Sequence, residues 1–342
     1  MKQQTSFFPA EWHQQSGVQL TWPDEHTDWA YMLDEVIPVY ERIAKEILAR
    51  EKLLVVCRVK SKLPSFLQEE NDRLIIREMP VNDTWARDHA AITIFDEGKP
   101  TLLNFRFNGW GMKFAANYDN QITPKLIRQQ SFSKEVLMQD LSYFTLEGGA
   151  IESNGEGCIL TTSECLLSKN RNEHLSQTAI EFFLKKTLHA EKILWLNHGF
   201  LKGDDTDSHI DTLARFCSAD TIAYVQPPAA DDPHFDALQK MEAELKELTD
   251  LNGNPFNLVA LPFPDAVFDE DGERLPATYA NFLILNKAVL LPVYDVKQDA
   301  EALEVMKQLF PNLEIIPINS RPLIKQHGSI HCISMQFPEG VL

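Results

Sequence analysis

The chain has 342 residues, 44% hydrophobic and 24% charged, a balance that excludes disordered, collagen-like and coiled-coil classes and fits a folded globular protein. Its formal net charge of −18 repels nucleic acid and anionic membranes, so neither is an expected partner, while an acidic surface tolerates a small cationic ligand. The cysteines (Cys57, Cys158, Cys165, Cys217 and Cys332) are odd in number and form no CxxC pair, which argues against a disulfide framework or a zinc knuckle, and the N-terminal residues carry no apolar leader; a reducing cytoplasm fits both.

Residues 28–50 carry Trp29, Met32, Leu33, Val36, Ile43 and Ile47 at helical spacing, with Pro38 predicted to kink or split the helix. Residues 53–59 (LLVVCRV) read as a buried strand. A helix over 177–188 leads to a strand over 193–196, and a helix over 236–251 leads to a strand over 258–261. Residues 281–285 and 288–293 flank Asn286-Lys287 as a hairpin. A helix over 298–309 and a short strand over 314–317 follow. The longest apolar stretch, 282–293, is interrupted at Asn286 and Lys287 and is too short to span a membrane. No linker or low-complexity tract divides the chain, so one domain over 1–342 is expected, of α/β class with antiparallel elements. Neither GxGxxG nor GxxxxGK[ST] occurs, so a nucleotide site has no motif behind it.

Four polar clusters carry groups that are costly to bury unpaired. In Asn82-Asp83-Thr84-Trp85-Ala86-Arg87-Asp88-His89, Asp88 stands before the apolar run 90–95; it reads either as a ligand-binding carboxylate at a strand entrance or as a structural partner of Arg87. Glu147-Gly148-Gly149 reads as a tight turn or as a place where backbone approaches a ligand. In Gly203-Asp204-Asp205-Thr206-Asp207-Ser208-His209-Ile210-Asp211, an extended backbone would put His209 and Asp211 on one side, as an acid/base beside a carboxylate; a metal cage and a solvated acidic loop are the other readings. In Gly328-Ser329-Ile330-His331-Cys332, a strand-like segment, Cys332 is either an inert core residue or a reactive thiol, and its His neighbour favours the second. Together the clusters suggest a nucleophile, a His and paired carboxylates suited to a planar cation.

The stretches MPVNDTWARD (79–88), FRFNGWGMKF (105–114), LEGGAIESNGEGCILTTSECLLSKNRN (146–172), WLNHGFLKGDDTDSHIDTLARF (195–216), ATYANFLILN (277–286) and HGSIHCISMQFP (327–338) run in one order over nearly the whole chain. In these the sequence resembles the agmatine deiminase and bacterial (Porphyromonas-type) peptidyl-arginine deiminase family of the guanidine-modifying, or pentein, superfamily. The resemblance implies a five-bladed α/β propeller of pseudo-fivefold symmetry, and Asp88, Glu147, His209, Asn281 and Cys332 recur at roughly one fifth of the chain. It implies that Cys332 is the nucleophile, that Asp88 and Asp211 bind the guanidinium nitrogens, and that His209 is the general acid/base. It further implies that Trp85 walls the site, that Asp205 or Asp207 meets the distal amine of agmatine, and that Glu147 supports the pocket. No metal or organic cofactor is implied.

Three departures touch loops around this expected site. Ala90-Ala91 stands where the family has Gly-Pro, Ser208 where it has Gly, and the glycine-rich lead to the nucleophile is reduced to His327-Gly328-Ser329. The expected reaction is hydrolysis of agmatine to N-carbamoylputrescine and ammonia, a step of polyamine synthesis. The rival within the chemistry is a peptidyl- or free-arginine deiminase, with an amidinotransferase behind it. The rival of another class is a non-catalytic metal-binding protein that uses the 203–211 loop as its cage.

Overall fold

Residues 5–342 are described by a computed structural model. Short β-branched and leucine-rich segments pair into small sheets, and amphipathic helices cover them. In the first sheet, β1 (Gln15–Thr21) lies parallel to β2 (Lys52–Cys57), which lies parallel to β3 (Leu74–Glu78). The helix Leu33–Leu48 makes the crossover from β1 to β2 and buries Val36, Val39, Tyr40, Ile43, Ala44 and Ile47. It runs through Pro38 as one helix, contrary to the expected break. The proline removes one intrahelical bond near the N-terminus, and the buried stripe outweighs that loss.

Three further sheets repeat one plan. β4 (Ile92–Asp96) pairs antiparallel with β5 (Lys99–Arg106), which runs parallel to β6 (Leu137–Thr145). β7 (Ile151–Ser153), β8 (Cys158–Thr162) and β9 (Lys192–Leu196) do the same, with the helix Gln177–Thr187 as crossover. So do β10 (Ala214–Ser218), β11 (Thr221–Val225) and β12 (Asn257–Leu261), around the helix Phe235–Glu247. In the fifth sheet β13 (Leu283–Leu285) and β14 (Ala288–Val293) join through Asn286-Lys287, as the sequence indicates, and the helix Asp299–Leu309 returns the chain to β15 (Glu314–Asn319). Lys287 has φ +67°, the left-handed conformation of a two-residue hairpin turn.

The last strand, β16 (Ser334–Pro338), crosses back to pair antiparallel with β1, Gln15 facing Pro338. The order β16–β1–β2 therefore completes the same plan, split between the two ends of the chain, with β3 as an added edge. The fold is mixed α/β, built from five such units. Among the described residues no helix is long and apolar enough to cross a membrane.

The repeat positions the site. The segment just ahead of the leading strand of each unit carries one of the residues singled out above: Asp88 before β4, Glu147 before β7, His209 and Asp211 before β10, Asn281 before β13 and Cys332 before β16.

Candidate active site

Two of these leading segments, those of His209 and Cys332, are not the extended or strand-like stretches expected. Asp88 lies in the short helical turn Ala86–His89, at the entrance to β4. His209 caps a 3₁₀ turn, Ile210–Thr212, so the two-residue period does not govern its relation to Asp211. Cys332 sits in a turn, and strand pairing begins only at Ser334. Turns serve here because side chains at the head of a strand can be aimed along the chain axis, whereas a paired strand sends them to its two faces.

The side chains still converge. A Cβ built on Gly149 would lie 2.6 Å from His209 Nδ1, 2.9 Å from Asp88 Oδ1 and 3.1 Å from Asp211 Oδ2, so three of the expected groups crowd one bare α-carbon. Asp88 accepts from the Trp110 indole N–H at 2.9 Å and from the Gly149 backbone N–H at 3.0 Å. His209 Nδ1 is 3.7 Å from Asp88 Oδ1, and its Nε2 is buried without a partner. Cys332 Sγ lies 3.2 Å from Asn281 Nδ2 and 3.9 Å from Asp211 Oδ2. Asn281 also accepts the backbone N–H of His331 at 3.0 Å, which fixes the turn that carries the thiol. Asp211 Oδ2 accepts from His331 at 2.7 Å, while its Oδ1 is buried and unpartnered.

Burial sets the protonation states. It pushes the Cys332 thiol well above the usual thiol range, and the Asp211 and Asp88 carboxylates push it further. It holds His209 down at about 3, so the imidazole is neutral at pH 7. It also raises Asp88, helped by the Asp211 charge and opposed by the Trp110 hydrogen bond. Asp211 is the exception. Burial acts to raise it, but the His331 hydrogen bond and charge, with His209 and Arg215, bring it below the ordinary carboxylate value.

The thiol opens into a cavity of about 590 Å³. Asp28, Asp83, Asp88, Asp119, Asp204 and Asp205 line it, with Trp85, Phe107, Trp110 and Phe114 as aromatic walls. Trp85 sits over Gly328, where a Cβ would strike the indole at 2.1 Å, and it donates to Asp83 at 2.9 Å. Burial, then the Asp28 charge, raises Asp83 to about 8. Arg58 is the one arginine of the lining, and it is engaged by Asp24 at 3.1 Å and by the Val81 carbonyl at 2.7 Å.

Three expected substrate-binding residues lie outside the cavity lining, Asn281 among them, whose bonds go to Cys332 and the turn that carries it. Glu147 is fully buried outside the cavity lining and takes two 3.0 Å bonds from Arg171 Nε. A buried carboxylate needs such a cation, and this pairing consumes its charge. Asp207 is likewise taken, by Arg171 at 2.6 Å and Lys113 at 2.7 Å, which leaves Asp205 as the member of that pair on the cavity wall. The same bonds speak to the metal-cage reading. Asp204 accepts from Thr206 and Ser208 and Asp207 from Arg171 and Lys113, so two of the loop's carboxylates are taken by protein donors. Glu147 does approach Cys165 and His209, and Glu11 approaches Glu152 and His331, each trio with atoms within 4.8 Å. Arg171 occupies the first group and Arg215 the second.

Sequence reasoning missed Trp110, Arg171 and Glu11. Trp110 and Arg171 fall within the family-like stretches, but nothing in their spacing marks a buried indole donor or a buried guanidinium. Glu11 lies in an N-terminal segment without any motif.

The profile of the Porphyromonas-type peptidyl-arginine deiminase family matches residues 7–338. A solved Porphyromonas gingivalis structure described as a candidate arginine deiminase is 52% identical, with TM-score 0.93, over 98% of this chain and 99% of that one. A C. jejuni agmatine deiminase with substrate bound is 37% identical, with TM-score 0.91, over 98% and 97%. A Vibrio parahaemolyticus relative, described as a candidate agmatine deiminase, is 34% identical over 97% of this chain and 96% of its own.

Proposed function

The chain belongs to the Porphyromonas-type peptidyl-arginine deiminase family, and from that premise we propose that it hydrolyses agmatine to N-carbamoylputrescine and ammonia. The relatives point to a hydrolase acting on C–N bonds. One observation above all supports the finer reading: the Cys332 thiol reaches an acidic cavity with Asp88 and Asp211 beside it, and Asp211 keeps a buried oxygen without a partner. A planar guanidinium would supply the missing donors and the compensating charge.

The cavity also bears on the substrate's tail. It offers carboxylates at Asp28 and Asp205, while burial raises Asp83 to about 8 and Asp119 to about 7, and its arginine is already engaged. An amine tail gains from that field, and a free α-carboxylate does not. We read the five sheets as blades around a central channel, with one catalytic segment per blade. Agmatine is the small cationic partner of this reading, and the free, buried cysteines suit a reducing cytoplasm.

The mechanism follows from the protonation states. Burial favours a neutral thiol and a neutral imidazole. The bound guanidinium cation lowers the cost of a thiolate, and the thiol proton passes to His209 Nε2. The sulfur attacks the central carbon, a C–N bond breaks, and the proton on His209 leaves with ammonia. Water then gives a proton to His209 and its oxygen to the thiouronium carbon. The C–S bond breaks, the proton on His209 returns to sulfur, the hydroxyl proton is lost to solvent, where ammonia can take it up, and the neutral ureido product departs.

Ammonia release from agmatine, free arginine and a peptidyl arginine, measured on the wild type and Cys332→Ala, tests the reading. Agmatine is expected to be the best substrate, and Cys332→Ala to lose at least about 10³-fold. Preference for the peptidyl arginine would transfer the assignment to the rival substrate, and an active Cys332→Ala would overturn the chemistry.

A further inference from the structure

His331, the neighbour of the thiol, faces away from it. Its Nδ1 lies 2.7 Å from Asp211 Oδ2 and its Nε2 lies 2.7 Å from Glu11 Oε1, so one ring joins two carboxylates. The ring is 1% exposed. Glu11 comes from the N-terminal segment and is held in turn by Arg215 on β10, by Arg87 at 3.2 Å and by Gln336 on β16 at 3.0 Å. Arg215 is itself clamped between Glu11, Glu152 and the carbonyls of Ala280 and Phe282. Nothing in this set lines the cavity, and the reaction above does not use it.

Its geometric effect falls on Asp211. With Oδ2 tied to His331, the carboxylate cannot turn, and Oδ1 stays buried and unpartnered. A free carboxylate in such a place would otherwise rotate toward any donor, and leaving an acceptor unmade costs about 1–3 kcal/mol. We propose that Glu11 and His331 form a buried positioning relay that fixes Asp211, so that its free oxygen is presented to the substrate's guanidinium. The inference rests on the deiminase reading. His331 and Glu11 are positioning residues in it, acting on substrate only through Asp211.

Two isosteric substitutions separate the ends of the ring. The amide nitrogen of Asn overlays Nδ1, so His331→Asn keeps a donor to Asp211 and releases Glu11. That of Gln overlays Nε2, so His331→Gln keeps Glu11 and releases Asp211. The charged and titratable groups around Asp211 are His331 and Cys332 on the C-terminal segment, Asp204 and His209 on its own loop, Arg215 on β10 and Asp88 on the turn before β4. Of these His331 contributes most to holding the Asp211 pKa down. Without that bond burial prevails, the Asp211 pKa rises, and the acid limb of kcat/KM moves to higher pH.

With thermal unfolding confirming that both variants fold, His331→Gln is expected to lose about 100-fold in kcat/KM for agmatine with its acid limb shifted upward. His331→Asn should stay within about tenfold, with the limb near its wild-type place. Equal losses in the two folded variants, or no loss in His331→Gln, would overturn the relay while leaving the deiminase reading intact. A wild type that turns over none of the three guanidines would remove both. If neither His331 variant folds, Glu11→Ala decides on the same terms. It leaves Asp211 bonded but unanchors the ring, so a kcat/KM equal to wild type overturns the relay and an intermediate loss supports it.

Discussion

Gly149 shows how tightly the site is drawn. Its φ is ordinary, so alanine fits the backbone, yet the added methyl would enter the space shared by His209, Asp88 and Asp211. Gly149→Ala is therefore expected to keep the fold and to lose at least about 100-fold in kcat/KM, because sub-ångström displacement of reacting groups costs that much. Steady-state kinetics beside a melting curve checks it; near-normal turnover would mean that these three groups do not act together. The residue-level chemistry was partly legible in the sequence. Cys332, Asp88, His209 and Asp211 stood out because reactive types gathered beside turn residues, and the structure gathers them in one place. Glu147 was placed one layer too far forward, because its buried cation, Arg171, sits 24 residues downstream on a different segment. His331 was noted for its nearness to the thiol, whereas its bonds run to Asp211 and Glu11. Side-chain direction within a turn is not written in residue spacing.

Among the elements, the helical crossovers and the strands that follow them were the clearest in the sequence. The expected helices at 177–188 and 298–309 and the strands at 193–196 and 258–261 match the observed elements to within a residue or so. Leading strands were harder to see. β7 has three residues, and β10 carries the fully buried Arg215, which interrupts its apolar run. The acidic loop ahead of β10 has its own cost. Asp207 and Ser208 both take the left-handed conformation, at φ +66° and +62°. Asp204 accepts the Ser208 N–H at 2.8 Å and Thr162 donates to its carbonyl at 2.8 Å, so the strained backbone is pinned from two sides. The family-like glycine at this place relieves that strain. Ser208→Gly is expected to stabilise the fold by about 1 kcal/mol, a rise of about 2 °C in Tm. An unchanged or lower Tm in a thermal scan would mean that the buried serine side chain offsets its own backbone penalty.

At the scale of the molecule, the repeated unit was visible in the sequence only as spacing between polar residues. Its closure was not, because pairing of β16 with β1 joins residues at opposite ends of the chain and no local pattern reports that. The closure makes the position of the chain break arbitrary with respect to the plan. A circular permutant that joins 342 to 5 by a short linker and opens in the exposed turn 251–254 should fold and keep the proposed agmatine turnover within about tenfold of the parent chain. Circular dichroism and ammonia release would report it, and an unfolded permutant would show that the split unit cannot be made contiguous.

The same closure gives the protein a timetable. Synthesis runs from β1 toward β16 at about 5–20 residues per second, so β1 waits roughly 15–60 s for its antiparallel partner. Throughout that interval its edge is open to any other strand, and the relay residue Glu11 has no imidazole to hold. Cys332 and the strand that pairs with β1 are made together. By the proposed chemistry the chain therefore stays inactive until this pairing can form, and β1 is the strand that needs protection in the meantime.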